Sequence, residues 1–309
     1  MDNTFSTRHI VQDPLRDSTY WDHVVPRAGD IIIATCYKAG TTLTQQVVNL
    51  LLHGDKDFDT MRNLSPWVES SLHAPPPEAI ETLPSPRFLK THLHPQALPW
   101  REEWKYIYLA RDGRDVGLSL YNHIRTMAEE FAAIGKPIPP VHNIPADFGK
   151  FWDQWVETGK PRWDFWENVN HWWQVRHQPN VLLIHYSDLI NNKPIEAERL
   201  ARFLGCEWNA SVCDRVCDYS SLEYMRNLEL AGKLGSPNKN KQKTGLINKG
   251  TNGRWKDLLT DKQLERYEAM AAQKLEPACA EWLHHGGHIG QEGNMHEVNP
   301  CIRPLRIDT

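Results

Sequence analysis

At 309 residues the chain is long enough to bury a large core, and its 40% apolar and 24% charged residues are those of a soluble globular protein. Thirty-five Lys and Arg against 39 Asp and Glu leave a net charge of −4, which argues against bulk nucleic-acid binding and confines any basic site to a local patch. No stretch approaches the ~20 apolar residues of a membrane span. The polar, mixed-charge start MDNTFSTRHIVQDPLRD lacks the apolar run of a signal peptide, so a cytoplasmic protein with no membrane partner is expected.

In chain order, IIIAT (31 to 35) reads as a buried strand, and LTQQVVNLLLH (43 to 53) as a helix with Leu43, Val47, Leu50 and Leu51 on one face. APPPEAIETLPSP (74 to 86) is a connector. RFLKTH (87 to 92) and YIYLARD (106 to 112) are two short β-rich runs, and GRDVGLSLYNHIR (113 to 125) predicts a helix. A long loop at 135 to 145 leads into FWDQWVETGKPRWDFWENVNHWW, which holds six of the thirteen Trp. Those Trp are either core-facing surface on a helix pair or an apolar wall for a ligand. VLLIHY (181 to 186) reads as another strand and IEAERLARFLG (195 to 205) as a helix. Residues 232 to 250 hold five Lys and no acid among turn formers, which predicts a loop suited to serve as a cationic lid. Short apolar strands alternating with helices predict an α/β fold, a three-layer sandwich around a mainly parallel sheet. No repeat and no break in composition divides the chain, so one domain over 1–309 is expected, with an irregular tail from Gly286.

The six Cys lack C-x-x-C spacing; Cys213 and Cys217 are four apart and read as the core face of a helix. His284-His285-Gly-Gly-His288 has no carboxylate or Cys beside it in the sequence and is not read as a metal site. No metal is expected.

The segment Cys36-Tyr37-Lys38-Ala39-Gly40-Thr41-Thr42 joins a strand to a helix start. There, unpartnered first-turn N–H groups and the helix dipole favour an anion. Gly40 lets the backbone approach closely, two Thr add hydroxyls and Lys38 adds a charge. This is not a Walker A loop, since G-x-x-x-x-G-K-[ST] is absent. The expected guest is a phosphate or sulfate; the plain alternative is a helix cap carrying an exposed lysine. A second strand ends at Arg111, where open α/β sheets place ligands, and Ser119 lies one to two turns into the following helix. Arg and Ser suit a second anion, unless Arg111 is spent on Asp112 or Asp115.

On these residues the chain resembles the cytosolic-type sulfotransferases, in four motifs that keep the family's order between residues 34 and 260. ATCYKAGTTL is similar to their 5′-phosphosulfate loop, YIYLARDGRDVGLSLYNH to their 3′-phosphate segment, LINKGTNGRWKDLLT to their third signature and RFLKTHLH to the stretch with their catalytic base. The resemblance implies the donor 3′-phosphoadenosine 5′-phosphosulfate (PAPS), leaving as PAP, a small-molecule acceptor, and no metal. Lys38, Ala39, Gly40, Thr41 and Thr42 would wrap the 5′ end. Arg111, Ser119, Lys249 and Gly250 would hold the 3′-phosphate, and Tyr186, Ser220 and Leu222 would flank the adenine. Asn248 stands where the family has an Arg, which predicts a weaker 3′-phosphate grip or compensation by Lys241, Lys243 or Arg254. Leu43 replaces a Trp, and Cys36-Tyr37 replaces Tyr-Pro. Lys256, Thr260 and Glu265 match a short dimerisation motif, with Asp261 at its apolar position.

Sulfuryl transfer is an in-line displacement that rests on positioning and charge. His92 is expected to be the general base, against the alternative of a structural hydrogen bond at a strand end. Lys38 would stabilise the leaving phosphate, with Ser119 restraining it beforehand, and Lys90 would face the sulfuryl group while Leu89 is buried on the opposite side of the strand. The acceptor is expected to be apolar or aromatic, lined by 61 to 86, 126 to 150 and the Trp-rich helices. The competing readings are a nucleotide-dependent small-molecule kinase and a non-catalytic protein that binds PAPS or PAP.

Overall fold

The computed structural model describes residues 7–54, 57–133, 135–137, 140–162, 164–234, 247 and 250–289. Asn248, Lys249, Lys241 and Lys243, most of the expected lid, and the tail beyond residue 289 lie outside the described residues.

Two two-residue strands, β1 (Gln12–Asp13) and β2 (Arg16–Asp17), pair antiparallel ahead of the main sheet. That sheet contains β3 (Ile31–Thr35), β4 (Phe88–Thr91), β5 (Lys105–Ala110) and β6 (Val181–His185), all parallel, in the order β4-β3-β5-β6. The connections carry α1 (Thr41–Leu52), the short α2 (Met61–Leu64) and α3 (Pro77–Glu81), then α4 (Gly113–Ala133), α5 (Phe148–Thr158) and α6 (Phe165–Gln174). After β6 come α7 (Tyr186–Asn191), α8 (Lys193–Leu204), α9 (Ala210–Tyr219), α10 (Leu222–Leu230), α11 (Asp261–Lys274) and α12 (Pro277–His285).

Strand side chains alternate between faces, and the two cores follow that period. Ile32, Ala34, Leu89, Tyr106, Tyr108, Val181 and Leu183 face one core, with α4, α5, α6, α11 and α12. Ile31, Ile33, Phe88, Ile107, Leu109, Leu182 and Ile184 face the other, with α1, α8, α9 and α10. The three layers expected from the sequence are therefore present. α4 continues two turns past its expected end, and the connector at 74 to 86 contains the single turn α3, opened by Pro77. Helices α5 and α6 start on Asp147 and Asp164, whose side chains accept from Lys150 N–H and Glu167 N–H. Cys213 is buried on α9, as the spacing predicts, whereas Cys217 one turn on is only half-buried. Among the described residues no helix is long and apolar enough to cross a membrane.

Of the six clustered Trp, Trp163 lies outside the described residues; the other five are buried at 2% exposure or less, and none lines the main cleft. Trp152, Trp155 and Trp166 pack at tilted angles on one another and on Tyr267, Trp172 stacks on Tyr108, and Trp173 packs on Trp282. The core reading holds, and the expected wall of Trp around an acceptor is corrected. Aromatic area contributes most when it leaves water completely, and two amphipathic helices give it a core to fill.

Candidate active site

The chain leaves β3, visits β4 on one side and then crosses to β5 on the other. The strand order thus reverses between β3 and β5, which opens a crevice at their carboxyl ends. The loops after these two strands carry Lys38 and Arg111. They border a cleft of about 310 Å³.

Lys38, Gly40, Thr41, Thr42, Lys90, His92, Arg111, Ser119, Tyr186, Ser220, Leu222 and Gly250 all line this cleft. Ala39 is fully buried beneath the loop and reaches the cleft through its neighbours alone. Leu43, Asp115, Lys193, Thr251 and Arg254 also line it. Among the described lining residues Lys38, Lys90, Arg111, Lys193 and Arg254 are cationic and Asp115 is the sole carboxylate. That is a cradle for a polyanion.

The loop itself is shaped for close approach. Gly40 is the N-cap of α1 at φ 118°, with no side-chain cap on the helix. A Cβ there would meet the Tyr186 ring at 2.6 Å and Leu109 at 3.0 Å. Glycine alone fits this position, and the first-turn N–H groups remain directed at a guest. Gly250 repeats the pattern at φ 68°, where a Cβ would meet Leu222 at 2.8 Å.

His92 is held on every side. Its Nδ1 is 3.0 Å from the Thr35 carbonyl oxygen. A carbonyl only accepts, so Nδ1 carries the proton and Nε2 is the basic nitrogen. Its backbone N–H donates to Glu69 at 2.7 Å. Its ring meets Trp67 and Tyr37 edge-on, at centroid distances of 5.1 and 5.4 Å. Burial first, then the Lys90 charge, push the imidazole pKa well below its ordinary value, so it is neutral at pH 7.

Glu69 is a residue the sequence reading missed. Fully buried, it accepts from the indoles of Trp21 and Trp67, the Thr91 hydroxyl and the His92 N–H. It fixes the strand end that presents His92. Nothing in its local pattern signals this, because donors from residue 21 and from residues 91 and 92 join the nearby Trp67 only in the fold.

Lys90 lies 4.8 Å above the Trp67 ring, and Leu89 is fully buried, as strand alternation requires. Burial pulls the pKa of Lys38 and of Lys90 down to about 8, with the Arg111 charge adding to the effect at Lys38. The carboxylate that opposes this at Lys38 is Glu229. Ser119 lines the same cleft as Lys38 and makes no hydrogen bond to it among the described residues.

Arg111 donates to the Asn252 side chain at 3.1 Å and to the Thr251 carbonyl at 3.3 Å, and it stacks 4.4 Å over Tyr186. Asp115 lies 3.7 Å from it and accepts from Gly253 N–H at 2.9 Å. Asp112 is taken instead by Arg114, at 2.8 Å. Arg111 and Asp115 together bind the 251–253 loop to the cleft. The Ser220 hydroxyl donates to Val216 and its carbonyl accepts from Lys193, 2.6 Å in each case.

The expected dimer residues are surface groups: Lys256 and Glu265 are exposed, and Thr260 caps α11 in a capping box with Gln263. His284 and His288 do have carboxylates near them in space, Glu268 at 3.4 Å and Glu196 at 2.6 Å. The fold sends the two imidazoles to different partners.

Residues 28–278 match the family model described as the sulfotransferase domain. Dog (Canis lupus familiaris) sulfotransferase 1B1 is 31% identical over 267 residues, covering 81% of this chain and 84% of its own. Human sulfotransferase 1C2 is 29% identical over 263 residues, covering 80% and 83%. Among solved structures, mouse sulfotransferase SULT7A1 complexed with PAP is similar with a TM-score of 0.70 at 18% identity, covering 91% of this chain and 99% of that one. Retinol dehydratase in complex with androsterone and inactive cofactor PAP has a TM-score of 0.66 at 22% identity, covering 84% of each chain. These structural likenesses establish the shared fold.

Proposed function

The chain belongs to the sulfotransferase family, and on that premise we propose that it moves the sulfuryl group of PAPS to a hydroxyl or amine of a small, apolar or aromatic acceptor, with His92 as general base. One observation carries the reading: a neutral imidazole, its Nδ1 committed to the Thr35 carbonyl, shares a cleft with a left-handed glycine loop and five cations.

The residues present fit a nucleotide with an anionic group at each end. The backbone around Gly40, Thr41 and Thr42 and the Lys38 ammonium bind its 5′ end; Lys38 offsets charge as it grows on the leaving phosphate oxygen. Arg111 and Ser119, with Lys249 and Gly250, bind the 3′-phosphate, and Arg254 supplies a cation in place of the family's Arg at Asn248. Tyr186, Ser220 and Leu222 flank the base. His92 Nε2 takes the acceptor proton while Lys90 faces the transferring group. PAPS itself supplies the activated sulfuryl group. The kinase reading is not favoured, since Asp115, the one carboxylate lining the described cleft, is engaged by Arg111 and Gly253. We also read 1–309 as one domain, place the protein in the cytoplasm and assign a homodimer contact to Lys256, Thr260 and Glu265, whose exposure supports it. Sedimentation tests the contact: Lys256→Glu shifts a dimer to monomer, and a monomeric parent protein overturns it.

The test of function is mass spectrometry of PAPS with a panel of phenols, steroids and alkyl alcohols, in excess chelator. Gain of one sulfuryl group by a panel member, lost in His92→Ala, is the expected result. PAP binding without transfer to any acceptor would favour the non-catalytic reading, and phosphoryl transfer abolished by chelator would favour the kinase.

A further inference from the structure

Outside the cleft, His94, Glu167 and His171 converge. Glu167 and His171 are four apart on α6, which places them on one face a single turn from each other. His94 follows the base by two residues and lies beside that face, with its ring centroid 4.8 Å from that of His171. One ligand-type atom from each of the three residues lies within 4.8 Å of the others. Both imidazoles also have a buried Nδ1 that meets no hydrogen-bond partner among the described residues. A buried polar atom without a partner costs about 1–3 kcal/mol, and here two such atoms sit on neighbouring rings.

We propose that His94, Glu167 and His171 form a binding site for one divalent ion of the zinc class, separate from the sulfuryl-transfer cleft. Two imidazoles and one carboxylate are the donor set that such borderline ions accept, whereas calcium and magnesium prefer oxygen alone. Burial holds the His94 pKa down at about 3 and that of His171 below its ordinary value, so both rings are neutral and ligand-competent at pH 7. Ligand bonds of about 2.0–2.2 Å set tetrahedral donor atoms roughly 3.3 Å apart, a contraction of the present cluster that turns of the three side chains supply. None of the three residues lines the cleft. The ion therefore bridges two segments and leaves the chemistry to the cleft. It reinforces a junction already made by Asn168 donating to the His92 carbonyl at 3.4 Å and by the Trp172 indole donating to the Leu93 carbonyl at 3.1 Å. An ion at this place braces the segment that presents the base.

The test titrates the full chain with zinc chloride against a chromophoric zinc chelator, and with Co²⁺ as a visible-light probe. One saturable equivalent is expected, with d–d bands of a low-coordinate Co²⁺ site. His171→Ala and Glu167→Gln lower the zinc affinity by more than the ~10–100-fold that loss of an outer-shell partner costs. The control His285→Asn, at an exposed position in the other histidine cluster, leaves it unchanged. Zinc at a hundred times Kd raises the folded-to-unfolded ratio about 100-fold, which thermal unfolding reads as a higher Tm in the parent protein and not in His171→Ala. Absence of a saturable equivalent, an unchanged affinity in folded His171→Ala and Glu167→Gln, or its loss in His285→Asn instead would each overturn the site. Sulfuryl transfer in chelator is expected to proceed with or without it, so failure of this site and failure of the proposed function are separable.

Discussion

Three residues set the acid–base behaviour of the cleft. His92 stays neutral well below pH 6.5 because burial and Lys90 both oppose its charge. The pH profile of kcat/KM, which reports the free enzyme, should therefore show no acid limb near 6.5; such a limb would remove the depressed imidazole from the mechanism. Burial holds the pKa of Lys38 and of Lys90 down at about 8, so the same profile falls as pH rises past that value, and the limb moves upward only when both are replaced by Arg. His92→Ala lowers turnover by ~10²–10⁴ with PAP affinity retained in calorimetry. The half-buried Lys38 cation also has a cost to folding. With a native pKa near 8 against 10.5 for an ordinary lysine, the native state disfavours the charged form; the penalty is complete below about pH 8 and fades as pH rises to 10.5. Lys38→Met is therefore expected to raise Tm at pH 7 in the absence of nucleotide while weakening PAP binding. A lowered Tm in a folded variant would contradict this.

At the scale of elements, the site consists of two strand ends and the turns that follow them. Gly40→Ala places a methyl group against Tyr186 at a left-handed φ, at a cost of about 1–3 kcal/mol, and the shift required of the loop should abolish PAP binding before it unfolds the protein. Arg111 anchors the 251–253 loop, and in the proposed function it also contacts the 3′-phosphate. Its replacement by Ala removes a charge-assisted bond worth about 1.5–3 kcal/mol, an expected ~10- to 150-fold loss of PAP affinity. Asp115 balances Arg111 and holds Gly253. Its neighbour Asp112 belongs to a different network with Arg114, a division that adjacent acidic residues give no means to foresee.

At the scale of the molecule, helices α5 and α6 bring a slab of indole to one face of the sheet, while α1, α8 and α9 cover the other. Trp155 is completely buried between Trp152, Phe165 and Trp166. Trp155→Ala should cost about 3–5 kcal/mol, measured by equilibrium denaturation. A much smaller loss would mean that this layer is loosely packed and open to a ligand after all.

The parallel sheet, the left-handed glycine loop and the place of His92 in the cleft were legible in the chain itself, because each is local chemistry. A run of β-branched residues, a glycine between a lysine and two threonines, and a Lys-Thr-His strand end each carry their meaning within a few residues. Glu69, the Glu229 influence on Lys38, the Arg111 hold on residues 251–253 and the His94–Glu167–His171 cluster were decided only by the tertiary structure. Each joins groups from 22 to 191 positions apart or from separate elements, and burial acts on them through every neighbour at once. Periodicity places a side chain on a face. It does not say which distant face comes to meet it.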